Sequence, residues 1–135
     1  MLKVLKFGGT SMADAKQYKK IRDIVRSDPT RRVVVVSAAG KRCSDDNKIT
    51  DLLYLCHAHL QYGVSCESIF DMIKERYYGI KEELHLKTDL DSEFASLWEK
   101  MQKGISREEL VSRPADGGLL RLRIHRCHPL AVFPL

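Results

Sequence analysis

The hydrophobic positions of this chain change period three times, and each change marks a change of element. Lys3 to Phe7 is a short run with an apolar centre, Val4 and Leu5, stopped by Gly8-Gly9; it reads as a strand. Beyond the glycines, Tyr18, Ile21, Ile24 and Val25 recur at helical spacing. Ser11 with Asp14 three residues later resembles a capping box with the shorter acid. Ser27-Asp28-Pro29 closes that helix, because proline disfavours helical geometry in the residue before it. Val33-Val34-Val35-Val36 then places four β-branched residues in a row, the pattern of a strand buried on both faces in a parallel sheet. Strand, helix and strand make one βαβ unit, for which a right-handed crossover is expected.

After a polar loop, Gly40 to Lys48, the helical period returns. Leu52, Leu53, Leu55, Cys56 and Leu60 predict a helix ending near Gly63. Further helices are predicted over Glu67 to Leu86 and Leu90 to Lys103, with a short one over Arg107 to Val111. The predicted class is therefore α/β, a βαβ start followed by a helical segment. No internal repeat or low-complexity stretch interrupts it.

Composition changes this picture little. The chain has 135 residues, 44% of them hydrophobic, about the size of one modest domain with a core to bury. No run of about 18 uncharged apolar residues exists, so no transmembrane helix is expected. Met1-Leu2-Lys3-Val4 meets the glycine loop too early for a signal peptide, and a soluble cytoplasmic protein is the expectation. Cys43, Cys56, Cys66 and Cys127 form no CxxC pair and are expected to be reduced thiols. The net charge of +5 raises the possibility of nucleic acid, but Arg121, Arg123 and Arg126 lie in the last stretch of the chain. Elsewhere the signs are mixed, as in Lys74-Glu75-Arg76 and Lys81-Glu82-Glu83, which reads as solvated helix surface. No aromatic interleaving supports a nucleic-acid surface.

Two loops carry candidate chemistry. At Lys6 to Ser11, adjacent glycines let backbone N–H groups converge on an anion, a following helix N-terminus adds partial positive charge, and Lys6 adds a full one. A plain strand-to-helix turn is the alternative for Gly-Gly alone. Ser37-Ala38-Ala39-Gly40-Lys41 follows the second strand with small residues that leave room at the carboxyl end of the sheet, where open α/β sheets bind ligands. Thr50 lies at a helix start, either offering its hydroxyl to a carboxylate or simply capping the helix. Cys56, His57, His59 and Cys66 do not fit zinc spacing, since His57 and His59 are two apart and cannot share a helix face. Trp98 reads as a core contact beside Leu97 and Met101, and His85 has no obvious partner.

The complete hexamer Lys6-Phe7-Gly8-Gly9-Thr10-Ser11 resembles the opening motif of the aspartate kinases, which have the amino-acid kinase fold. Other kinases of that fold have looser Lys-x-Gly-Gly loops. Ser37-Ala38-Ala39-Gly40 and Thr50-Asp51-Leu52-Leu53 are similar to a second family motif, a Ser-Ala-x-Gly loop and a Thr-Asp/Asn-Leu-Leu helix start. The resemblance covers residues 2 to 113 and implies the N-terminal portion of an amino-acid-kinase-type parallel sheet sandwich. It implies ATP-dependent phosphorylation of the L-aspartate β-carboxylate to 4-phospho-L-aspartate, the first step towards lysine, threonine and methionine. Lys6 is then the catalytic lysine; Lys6, Phe7, Gly8, Gly9 and Ser11 meet the ATP phosphates, and Thr50, Ser37 and Ala38 meet the amino acid. ATP with its Mg²⁺ and L-aspartate are the implied ligands, with no nucleic-acid or membrane partner and with a homo-oligomer left open. A kinase of the same fold with another acceptor, or a non-catalytic basic binding fragment, are the alternatives.

The resemblance stops at Arg113. The family continues with Ser-Arg/His-Gly-Glu, whose Glu binds substrate; here Ser112-Arg113 runs into Pro114-Ala115-Asp116, and that role has no residue to fall on. Residues 1–113 are therefore expected to be the N-terminal part of a catalytic domain and 114–135 an irregular or disordered tail. Codons for the tail can be chosen so that the next frame encodes a helix, a glycine turn and an apolar strand, the elements the family places next. A small deletion with a frameshift near Arg113 explains this, and a genuine unrelated extension is the rival. Either way, the chain alone is expected to lack activity, and a two-stranded sheet is expected to be marginal or to associate.

Overall fold

Two short strands, β1 (Lys3–Lys6) and β2 (Arg31–Val35), pair in parallel, with helix α1 (Ala15–Arg26) crossing between them. The computed structural model describes residues 1–104. Three further helices follow: α2 (Ile49–Gln61), α3 (Glu67–Glu83) and α4 (Leu90–Gln102). The predicted α/β start and helical segment are present, with boundaries shifted by at most three residues. The short helix predicted over 107–111 and the tail 114–135 lie outside the described residues.

Register decides which valines are covered. Val4 pairs with Val33, Leu5 with Val34 and Lys6 with Val35. Because side chains alternate across a strand, Leu5, Phe7, Val34 and Val36 face one way and pack on Met12, Tyr18, Ile21, Val25 and Ile80. The expectation that Val33–Val36 is buried on both faces is not met: Val33 is 40% and Val35 45% exposed, beside Val4 at 62%. A run of valines reports a preference for extended backbone, but burial of both faces needs a layer on each side. Among the described residues only one side has it.

The start of α1 also differs from the expected capping box. Ser11 sits in a 3-10 turn, Gly9–Met12, and Asp14 is itself the N-cap, accepting from the Gln17 N–H at 3.0 Å. Helix α1 then buries Ala15, Tyr18, Ile21 and Val25, one face at helical spacing. Past its end, Asp28 pins the turn to both strands. One oxygen accepts from the Thr30 N–H (2.9 Å) and hydroxyl (2.6 Å), and the other pairs with Lys3 at 2.6 Å. The Lys3 contact, with those from Thr30, holds the Asp28 carboxyl well below the usual carboxylate range.

The second core lies between α2, α3 and α4. Phe70 is its centre, edge-on to Phe94 with ring centroids 5.8 Å apart and tilted against Trp98 at 4.9 Å. Trp98 is thus a partly buried core contact. Cys56 and Cys66 are buried in the same cluster, with the Cys56 Sγ 3.9 Å from the Cys66 carbonyl; burial pushes the Cys56 thiol up to about 12. His59 turns away from them, its Nδ1 3.1 Å from the Ser65 carbonyl. Helix α2 ends in a Schellman motif at Gly63 (φ 67°): the Val64 N–H reaches the His59 carbonyl at 2.8 Å and the Gly63 N–H the Leu60 carbonyl at 3.1 Å. Helix α3 ends the same way with His85 (φ 53°) in the left-handed position, so this histidine has a backbone role.

The open valine face yields a prediction. Sedimentation across a concentration series should show reversible self-association. Replacing Val33 and Val35 together by Thr, which keeps the β-branched shape but hydrates the face, should reduce it; association unchanged in the double variant places the contact elsewhere.

Candidate active site at the carboxyl end of the sheet

The two loops singled out in the sequence meet in space. Parallel pairing brings both strand ends to one edge, where the Phe7 N–H bonds to the Val35 carbonyl at 2.9 Å. One step further the Gly40 N–H donates to the Gly9 carbonyl at 2.7 Å. The glycines are required by this approach: a Cβ on Gly40 would lie 2.5 Å from the Gly9 carbonyl carbon and 2.7 Å from the Thr10 nitrogen. A Cβ on Gly9 would sit 3.3 Å from the Ala38 carbonyl oxygen. Gly8 is different, with nothing within 4 Å of the same position, so it faces open space. The third segment joins through the Ile49 N–H, which reaches the Ala39 carbonyl at 3.1 Å and fixes the start of α2 beside the second loop.

This arrangement leaves donors free. The N–H groups of Gly8, Gly9 and Thr10 make no hydrogen bond within the described residues, while the Ser11 N–H closes the turn onto the Gly8 carbonyl at 3.1 Å. Three successive unpaired amides beside an exposed lysine, Lys6, form a concavity suited to an anion. Helix α1 contributes less than its position suggests, because Asp14 already caps it. The donors that remain belong to the 3-10 turn.

Beneath both loops lies Arg76 of α3, which the sequence pattern places on solvated surface. Instead it is 8% exposed. One terminal nitrogen donates to the Ala13 carbonyl at 3.1 Å and the Gly40 carbonyl at 2.7 Å. The other donates to the Asn47 carbonyl at 3.0 Å and lies 3.2 Å from Asp46 Oδ2. Asp46 is shared with Arg42, whose side chain meets both carboxylate oxygens, at 2.7 and 2.9 Å, and whose backbone N–H adds a third bond at 2.9 Å. The Arg42 side chain first, with backbone N–H groups and Arg76, holds the Asp46 carboxyl well below the usual carboxylate range. Burial works against the Arg76 charge and Asp46 sustains it. Nearby Tyr77 is fully packed, and burial pushes its phenol up to about 12. No motif marks Arg76; only a tertiary contact 63 residues from Ala13 reveals it.

The sequence-predicted residues distribute as follows. Lys6 stands exposed at the end of β1, and Phe7 turns its ring into the core while its N–H serves the sheet. Ser11, Ser37 and Ala38 are half-buried around the junction of the loops. Thr50 is the second residue of α2, after the capping residue Lys48; its hydroxyl has no partner among the described residues and is not used as a cap. Among the described residues no three His, Cys, Asp or Glu side chains converge as a metal site.

A βαβ start, a glycine loop packed on a second glycine loop and free amides at the strand ends define an α/β protein with a row of unpaired donors at the carboxyl end of its sheet. Residues 1–111 match the amino acid kinase family, and the chain belongs to it. Within that family it is similar to the aspartokinases. It is 45% identical over 85 residues to aspartokinase 3 of Bacillus subtilis, covering 63% of this chain and 19% of that protein. It superposes on Clostridium acetobutylicum aspartate kinase with a TM-score of 0.75 at 41% identity, over 78% of this chain and 24% of that one. On Escherichia coli aspartokinase III in complex with aspartate and ADP the TM-score is 0.64 at 26% identity, over 96% and 30%. The chain spans about a fifth of the length of the curated relatives it matches.

The loop contact and the acid pair each predict a stability change. Gly40→Ala must push the loops apart and should cost about 1–3 kcal/mol in urea unfolding. Gly8→Ala, which meets nothing, should stay within about 0.5 kcal/mol; equal costs for the two would refute the packing argument. As pH falls, the unfolded chain protonates Asp46 first, because folding holds its pKa down. The stabilisation from Asp46 is therefore whole above about pH 4 and drains away below it. Asp46→Asn should flatten that acid limb in a pH series of melts.

Proposed function

We propose that residues 1–104 form one wall of the nucleotide and amino-acid site of an aspartate kinase. The observation that carries this reading is the row of free amides at Gly8, Gly9 and Thr10, beside Lys6 and locked against the Gly40 loop. These amides receive phosphate oxygens of ATP, with Lys6 as the neighbouring positive charge and the Ser11 hydroxyl close by. Phe7 contributes through backbone position, its N–H being held by Val35. The free Thr50 hydroxyl, with Ser37 and Ala38 around it, receives the amino acid. The ligands named for the E. coli aspartokinase III complex, aspartate and ADP, support this assignment.

In the reaction, an oxygen of the L-aspartate β-carboxylate forms a bond to the γ-phosphorus as the bond to the β–γ bridging oxygen breaks. The products are 4-phospho-L-aspartate and ADP, and no proton need move to the nucleophile. Catalysis of such a transfer is mainly alignment and charge stabilisation. Lys6 and the loop amides act on the phosphate charge, and the start of α2 orients the acceptor. Mg²⁺ would be carried by the nucleotide and would supply charge neutralisation there; among the described residues no carboxylate cluster stands ready to hold it. The reading places the protein in the cytoplasm, at the first step of lysine, threonine and methionine synthesis. No described helix is long and apolar enough to cross a membrane.

Because the matched stretch is about a fifth of its relatives, the chain by itself is proposed to bind without turning over. A coupled assay with ATP, Mg²⁺ and L-aspartate should show no ADP release above background; turnover of about 1–100 s⁻¹, ordinary for kinases, would overturn this. In an NMR titration, ADP or pyrophosphate should shift the Gly8, Gly9 and Thr10 amides. Lys6→Ala should weaken that binding about tenfold, the loss of one charge-assisted contact. Shifts confined to other regions would remove the phosphate reading.

A further inference from the structure

The contact between the two loops of the site leaves three of their carbonyls unmet. Ala13 ends the first loop, Gly40 sits in the second, and Asn47 precedes α2; each directs a carbonyl inward, and no element other than α3 supplies a donor to these three oxygens among the described residues. From these contacts we infer that Arg76 is a positioning residue for the phosphate-facing loops. Its guanidinium sets how far Gly40 stands from Gly9 and where α2 begins, without touching the ligand. The inference rests on the reading of those loops as a phosphate and substrate site.

Geometry and chemistry both single out arginine here. A planar fork reaches carbonyls on two sides at once, whereas a lysine ammonium concentrates its donors at one point and cannot span them. The contacts run across 63, 36 and 29 residues of sequence, so one side chain joins to α3 segments that lie far apart along the chain. The Asp46 carboxylate closes the arrangement from the loop side at 3.2 Å. Packing alone does not explain the choice, because the Arg76 Nε is buried without a hydrogen-bond partner. A buried orphan donor is unfavourable, and an apolar side chain at this place would carry none. What an apolar side chain cannot do is bind three carbonyls from two loops. Since the Arg76 side chain is only 6% exposed, any effect on a ligand passes through the loops.

The test compares amide hydrogen exchange, residue by residue, in the 135-residue chain and its Arg76→Lys variant, with the amides of α4 as the internal control. Exchange at the Gly40 N–H, bonded to Gly9, and the Ile49 N–H, bonded to Ala39, should rise at least about tenfold while α4 stays within about twofold. In the same samples, at a temperature where both proteins are folded, pyrophosphate affinity should fall about tenfold. Unchanged protection at Gly40 and Ile49, or a rise shared equally by α4, overturns the inference, since the second pattern is what a merely structural role gives. If Arg76→Lys does not fold, Asp46→Asn carries the same comparison, with loosening at Ile49 expected and its absence decisive against. Loosened loops in a protein whose unsubstituted form binds no pyrophosphate would leave the positioning role standing and bring down the phosphate reading instead.

Discussion

The approach of Gly40 to Gly9 is the constraint on which the rest of this structure depends. A backbone N–H and carbonyl 2.7 Å apart, with no space for a Cβ between them, bring two loops from two strands into one surface. The loops then cannot satisfy each other's remaining groups. Carbonyls turned inward are met by Arg76, and amides turned outward at Gly8 to Thr10 are left for a ligand. Division of polar groups between an internal cation and an external anion follows from the close contact itself.

The balance of charge beneath the loops reinforces this division. Two guanidinium groups, Arg42 and Arg76, share the single Asp46 carboxylate, which is therefore fixed in its ionised form. Asp14 meanwhile caps α1 and withdraws that helix terminus from competition for an anion. The outcome is a surface of free donors built from a short 3-10 turn and a lysine, a smaller and more local source of positive potential than a whole helix dipole.

Much of this was legible in the sequence. The hexamer at Lys6 to Ser11 and the run Ser37 to Leu53 located both loops, and the sequence pattern located helices α1 to α4 among the described residues. What was not legible shares one cause: it depends on what stands opposite. Val33 to Val36 has the same sequence whether one face or two are covered. Ser11 and Asp14 both suit a helix start, and only the path of the intervening turn assigns the cap to Asp14. Arg76, flanked by Glu75 and close to Lys74, has the local pattern of a solvated face. Its burial is decided by loops 29 to 63 residues away. His85 shows the same limit in miniature, a left-handed residue with no glycine to announce it.

The long reach of the Arg76 contacts also sets the loop junction apart from the helical cluster. Helices α2, α3 and α4 are neighbours in sequence and can pack as soon as they form, since short loops close at little entropic cost. The site must wait for β1 to find β2 across α1, and for Arg76 to meet Ala13 across 63 residues. The helical cluster is thus held by contacts close in sequence, and the junction of the two loops by contacts far apart in sequence. Loss of these long-range contacts would loosen the loop junction while leaving the contacts among the helices in place.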